Sequence, residues 1–202
     1  MMDESFTYLQ KSINFSMTSL FTTGGIRGNK LSIDKFLPRS FNMGIKREAF
    51  DEVDGFSNIK QYGEDLDLSY KLIFSGKKSL LIPDARVFHK RRTNLLNFFT
   101  QMYKSGKGRY FLNIKYKNTF KLFHLFPSLF IFIFILSQIS STFFENKLGI
   151  IIQVTYGVYF CVIFFSSSII NKNPIIGLLS TITTLIQFLG YGIGYIMGLL
   201  KK

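Results

Sequence analysis

The chain has 202 residues, with 25 Lys and Arg against 12 Asp and Glu, a formal net charge of +13, and 47% of its residues are hydrophobic. That length allows one modest soluble domain with something added, and the basic excess calls for an anionic partner such as a membrane surface or a nucleic acid. A single cysteine, Cys161, excludes an intrachain disulfide and a cysteine metal cluster, and His89 and His124 leave little material for a multi-histidine metal site.

The opening "MMDESFTYLQKS" has acids where a signal peptide needs bases and no apolar stretch behind them, so the amino-terminal part is expected to stay in the cytoplasm. Over residues 5–20, Phe6, Leu9, Ile13, Met17 and Leu20 recur at intervals of three and four, which predicts an amphipathic helix with one buried face. "TTGGIRGNK" follows. Its glycines can bring backbone amides to a phosphate, but without a flanking strand and helix the turn reading is preferred. "PRSFNMGI" then reads as a short strand, "KREAFDEV" as a short helix and "DGF" as a turn. A helix is predicted over 65–75, with Leu66, Tyr70 and Ile73 on one face and Gly76 as its stop signal. "SLLIP" and "ARVFH" read as strands separated by a turn at Pro83 and Asp84.

From residue 85 to residue 144 there are ten bases and no acid. Such a block is attracted to anionic lipid headgroups by about 1 kcal/mol per well-placed residue and argues for a cytoplasmic location. Within it Leu95, Phe98, Phe99, Met102 and Tyr103 recur at helical spacing, consistent with an amphipathic helix lying on the membrane; a solvated charged face is the alternative. Nucleic acid is discounted as a partner, because the charge adjoins apolar spans and no nucleic-acid motif is present. Residues 125–144, 148–170 and 175–200 carry no charge, and each run reaches the ~20 residues that a helix needs to cross a bilayer. A buried soluble core would show a polar stripe that these windows lack. Three spans put Lys201 and Lys202 on the far side, against the positive-inside tendency.

Glu64, Asp65 and Asp67 crowd the first turn of the helix predicted over 65–75. The helix dipole favours acids there by about 0.3–1 kcal/mol, which accounts for one of them and hardly requires all three. An ionised carboxylate held at a helix start suits a general base that takes a proton from a sugar hydroxyl, and spacing alone does not settle which acid that is.

The ordered series "NMGIKREAFDEVDGF", "YGEDLDLSYKLIFSG", "IPDARVFH" and "KRRTNLLNFFTQMYKSGKGR" resembles the carboxyl-terminal, acceptor-side half of family 2 glycosyltransferases, inverting enzymes with a GT-A fold. The resemblance covers about residues 24–200. It implies an α/β chain: a partial GT-A domain, like a nucleotide-diphospho-sugar transferase, over 1–93, a basic interfacial segment over 94–122, and a transmembrane region over 123–202. It makes Asp65 the base with Glu64 beside it, puts Asn42 on the acceptor side, and has Asp67 orient the helix start there. His89 matches a position that in some relatives helps to hold a divalent metal, Mg or Mn, on the donor diphosphate. Arg91 and Arg92 could face that diphosphate, lipid headgroups or water. Gln101 and Arg109 resemble the Gln-x-x-Arg-Trp element of processive synthases, at longer spacing and in a chain without Trp, which counts against a processive polymer synthase.

No Asp-x-Asp precedes Gly24, so the nucleotide-binding half is expected to be missing, through a fragment, a split gene or a separate partner chain, and the isolated chain to be inactive. The implied function is transfer of a sugar from a nucleotide-sugar donor to a lipid-linked or polysaccharide acceptor. It would occur at the cytoplasmic face of the cell's inner membrane, on a multi-pass protein that also binds anionic lipid. The competing function is a non-catalytic anchor or assembly subunit, in which the acids only cap a helix.

Overall fold

The computed structural model describes residues 5–23, 37–38, 40–57, 63–82, 85, 87, 89–144 and 147–200. Helix α1 (Tyr8–Thr18) starts at a reciprocal cap: the Gln10 N–H donates to the Thr7 hydroxyl while the Gln10 side chain accepts from the Thr7 N–H at 3.0 Å. A single turn, α2 (Leu20–Thr23), follows. After a 3-10 turn at Ser40–Asn42 come α3 (Arg47–Glu52) and α4 (Glu64–Phe74), then the long α5 (Leu95–Lys115). Three helices close the chain: α6 (Phe126–Phe144), α7 (Lys147–Asn171) and α8 (Pro174–Leu200).

Among the described residues there is no strand. This overturns the α/β, GT-A expectation. "PRSFNMGI" contains the 3-10 turn Ser40–Asn42 rather than a strand, and residues 79–82 carry no sheet pairing. In "ARVFH" the described Ala85, Val87 and His89 are likewise not part of a strand, and Pro83 and Asp84 lie outside the described residues. Alternating apolar residues favour a strand only when neighbouring strands accept its N–H and C=O groups, and the described residues offer none. Of the loop "TTGGIRGNK", residues 24–30 also lie outside the described residues.

The three apolar runs form helices long and apolar enough to cross a membrane: Phe126–Phe143, Lys147–Asn171 and Pro174–Leu200. α8 is the hub, packed against α1, α5, α6 and α7. α7 and α8 make an antiparallel hairpin through Lys172 and Asn173, with the Ser167 and Ser180 hydroxyls 2.6 Å apart between them. α6 and α7 make another, in which the Tyr156 hydroxyl donates to the Phe130 carbonyl at 2.6 Å. In a low-dielectric interior a polar side chain must find a partner, and these pairs provide one.

α5 runs alongside α8 in the same direction, joined by glycines. A side chain at Gly106 would collide with the Tyr191 carbonyl, and one at Gly194 with the Tyr103 carbonyl. At Gly190 and Gly198 an added Cβ would come to 2.9 Å from Met102 and from Tyr110. Glycine at every fourth position of α8 thus lets two backbones approach as larger residues would not. The apolar edge of α5, Phe98 and Met102, is buried with Ile13 and Met17 of α1 against Ile186 and Tyr191 of α8. Protein covers the face that the sequence directs toward lipid. α1 meets α8 through hydroxyls as well, the Ser16 Oγ lying 2.6 Å from the Thr183 Oγ1.

Candidate active site

α4 carries the three acids of its first turn, Glu64, Asp65 and Asp67. Its N-cap is Gly63 at φ 128°, a conformation open to glycine and strained for other residues, and an added Cβ there would come to 3.1 Å from Leu112 of α5. The Glu64 carboxylate accepts from the Gly63 N–H at 3.0 Å and the Asp65 carboxylate from the Leu66 N–H at 2.8 Å. Glu64 is exposed and Asp65 half-buried.

Asp67 is different. Its side chain is 0% exposed, and it accepts from Lys115 Nζ at 2.6 Å, from the Tyr116 hydroxyl at 2.9 Å and from the Ser57 hydroxyl at 2.6 Å. Burial pushes its pKa up, but the bonds from Lys115, Ser57 and Tyr116 outweigh this and hold it below the usual carboxylate range. Burial likewise lowers the Lys115 pKa, and the Asp67 carboxylate more than offsets that, leaving the ammonium above its ordinary value. Around the pair, Leu66 and Tyr70 pack on Leu112, and the Phe74 ring stacks on Tyr116 with centroids 5.5 Å apart. A second tether joins the same helices, from Arg109 of α5 to the Tyr70 hydroxyl at 3.1 Å. On its other side α4 is fastened to the turn after α3, where Lys71 Nζ donates to the Val53 and Gly55 carbonyls at 3.1 and 3.0 Å.

The remaining residues singled out in the sequence are dispersed. The Asn42 side-chain amide donates to the Ala85 carbonyl at 3.2 Å. Arg91 is turned to α1, donating to the Asn14 side chain at 2.9 and 3.1 Å. Arg92 donates to Gln101 Oε1 at 3.2 Å, so these two are neighbours. His89 is exposed; partial burial and then the Arg91 and Arg92 charges lower its pKa. Two guanidinium groups so close repel a divalent cation, and among the described residues no three His, Cys, Asp or Glu side chains converge on a common point. Among the described residues, then, no donor set for a metal ion is assembled.

Sequence reasoning named both acids and bases but missed which would meet. Lys115, Tyr116, Ser57 and Tyr70 build the α4–α5 joint, and none stands out locally. The one usable signal is that an acid at the fourth helical position, on an apolar face, needs a cation, without saying which.

Residues 40–171, more than half of the chain, match the model of glycosyl transferase family group 2. The chain belongs to that family. The chain is also similar to the succinoglycan biosynthesis protein ExoA of Rhizobium meliloti (strain 1021), 24% identical over 104 residues. That match covers 52% of this chain and 32% of ExoA, so the chain aligns with about a third of its curated relative. No solved structure matches. The matched stretch takes in α3, α4, α5, α6 and α7, and hence the whole α4–α5 joint together with the first two apolar helices. Family 2 members generally use a divalent metal, which the described residues of this one do not assemble.

Proposed function

We propose that this family 2 protein acts in a membrane-bound inverting glycosyl transfer, with Asp65 as the general base. The observation that carries the reading is the α4–α5 joint: Asp67–Lys115 and Tyr70–Arg109 hold the first turn of α4 in one position relative to the helix that leads into the membrane spans. Catalysis by a general base requires such fixed placement, because a proton is transferred only within hydrogen-bond reach.

In this reading the acceptor hydroxyl attacks the anomeric carbon of a nucleotide-sugar. The new glycosidic C–O bond forms as the bond to the nucleoside diphosphate breaks on the opposite face, and the hydroxyl proton passes to an Asp65 carboxylate oxygen. Glu64 adds negative potential beside it, and Asn42 lines the acceptor side. Asp67, consumed by its three partners, orients the helix. Arg92, Gln101 and Arg109 are the candidates to face the diphosphate, while Arg91, bound to Asn14, fixes the start of that segment to α1. No step is assigned to a divalent ion or to His89.

The acceptor is lipid-linked or a polysaccharide, the soluble part faces the cytoplasm at the inner membrane, and residues 1–93, 94–122 and 123–202 divide acceptor-side, interfacial and spanning roles. A nucleotide-binding half, in cis or as a separate chain, completes the donor site. The second reading, a non-catalytic anchor or assembly subunit, draws on the backbone N–H groups that the Glu64 and Asp65 carboxylates already cap. Supplying the nucleotide-binding half and comparing native protein with Asp65→Asn separates the two. Transfer of radiolabelled sugar is expected to fall about 10²- to 10⁴-fold; equal transfer would remove Asp65 as the base.

A further inference from the structure

Between α5 and α6 the chain forms a link built from two 3-10 turns, Lys117–Thr119 and Leu122–His124. One residue of it points inward. His124 is 5% exposed, and its Nδ1 accepts from the Lys121 N–H at 3.3 Å and lies 3.3 Å from the Asn113 Nδ2. Asn113 in turn donates to the Tyr195 hydroxyl of α8 at 3.1 Å. The link is thereby tied to α5, and through Asn113 to α8.

Held in that way, the residues around His124 are presented outward. Leu122 is 75% exposed, and Phe120, Phe123 and Phe126 are about half exposed. Lys117 and Lys121 are exposed among them, with Lys121 Nζ 5.8 Å from the centre of the Phe123 ring. Large apolar side chains fixed in water are costly, whereas the same surface interleaved with lysines suits the boundary between acyl chains and headgroups. The surface is continuous with α6, whose lipid-directed face begins at Phe126, and no acid lies between residues 85 and 144 to oppose an anionic partner.

We propose that residues 117–126 form a leaflet-docking surface. Leu122 and Phe123 enter the upper acyl region of the leaflet from which α6 departs, and Lys117 and Lys121 bind the phosphate of anionic headgroups. The occupant is the bilayer itself. The proposal rests on α6 crossing the membrane and is independent of the reaction assigned to Asp65.

The test uses the full chain with Cys161→Ser and one fluorescent label at Leu122→Cys, Phe132→Cys or Leu80→Cys. It is reconstituted in phosphatidylcholine vesicles with and without phosphatidylglycerol and quenched by nitroxides high on the acyl chain of either lipid. Phe132 is an exposed residue within α6, and Leu80, 71% exposed, lies well outside the spans. Labels at 122 and 132 should be quenched by lipid nitroxide and the label at 80 only by an aqueous quencher. At 122, nitroxide-phosphatidylglycerol should be enriched over the choline lipid by roughly fivefold per lysine, a preference lost in Lys117→Gln with Lys121→Gln. A label at 122 that behaves like the one at 80 overturns the proposal, as an acidic protein partner would produce. So does a label at 132 that stays in water, or an anionic preference that survives the double substitution.

Discussion

Asp67 and Lys115 are an unequal pair: the carboxylate is fully buried and the ammonium half-exposed, with 2.6 Å between them. Removing the lysine strands an anion in the protein, whereas removing the anion leaves a lysine that water can reach. Lys115→Ala is therefore expected to loosen the α4–α5 joint by about 2–3 kcal/mol, less than a fully enclosed pair would lose. Asp67→Asn, which keeps bonds to Ser57 and Tyr116, should cost about 1 kcal/mol. Hydrogen–deuterium exchange of the α4 amides in the detergent-solubilised chain measures both. The same carboxylate sets a pH response. Its pKa is depressed on folding, so the unfolded chain takes up the proton first as pH falls. The stability it contributes is complete above its unfolded value near 3.9 and is lost as pH drops through the folded one. Native α4 should lose protection in that acid window, and Asp67→Asn should not show that step. The acids that open α4 and the Gly76 that follows it are legible residue by residue, because both signals are written within a short stretch. The partner of Asp67 is 48 residues distant, and nothing in the local pattern selects Lys115 from the ten bases of its block.

At the scale of elements, α1, α3, α4 and the three apolar helices are visible in the sequence with ends close to those expected, while α5 stops at Lys115, inside the segment 94–122. The strands are not there among the described residues, since a strand is a relation between segments rather than a property of one. The interlock of α5 with α8 is another such relation. Gly194→Ala forces the new methyl onto the Tyr103 carbonyl, which belongs to a backbone and cannot swing aside. Separation of the two helices is expected to cost about 1–3 kcal/mol. Gly157→Ala, in the middle of α7 with nothing within 4 Å of the added carbon, should be neutral or stabilising by up to about 1 kcal/mol, since alanine is the better helix former. Thermal unfolding of both variants in the same detergent checks the contrast.

For the whole molecule, three helices that each crossed a membrane would alternate the sides on which their connections emerge. With native Cys161 replaced by serine, a cysteine at Lys172 is expected to react with an impermeant maleimide from one side of the membrane only. A cysteine at Lys147 should react from the opposite side. Labelling both from one side would show that α7 does not cross. In the structure α8 lies inside the assembly, with α1 and α5 on one flank and α6 and α7 on the other, so the third span also organises the part that precedes the spans.

The amino-acid sequence by itself determined the three apolar spans, the acidic start of α4, the basic block before α6 and the membership of family 2. Each of these is written in hydropathy, charge or motif order along a short stretch. Only the tertiary structure decided that α5 turns its apolar edge to α8, that Asp67 is spent on Lys115, and that the described soluble part is helical. Those outcomes depend on which surfaces meet when the chain closes on itself, and a helix face of Phe98 and Met102 is as well suited to lipid as to the glycine-lined flank of a neighbouring helix.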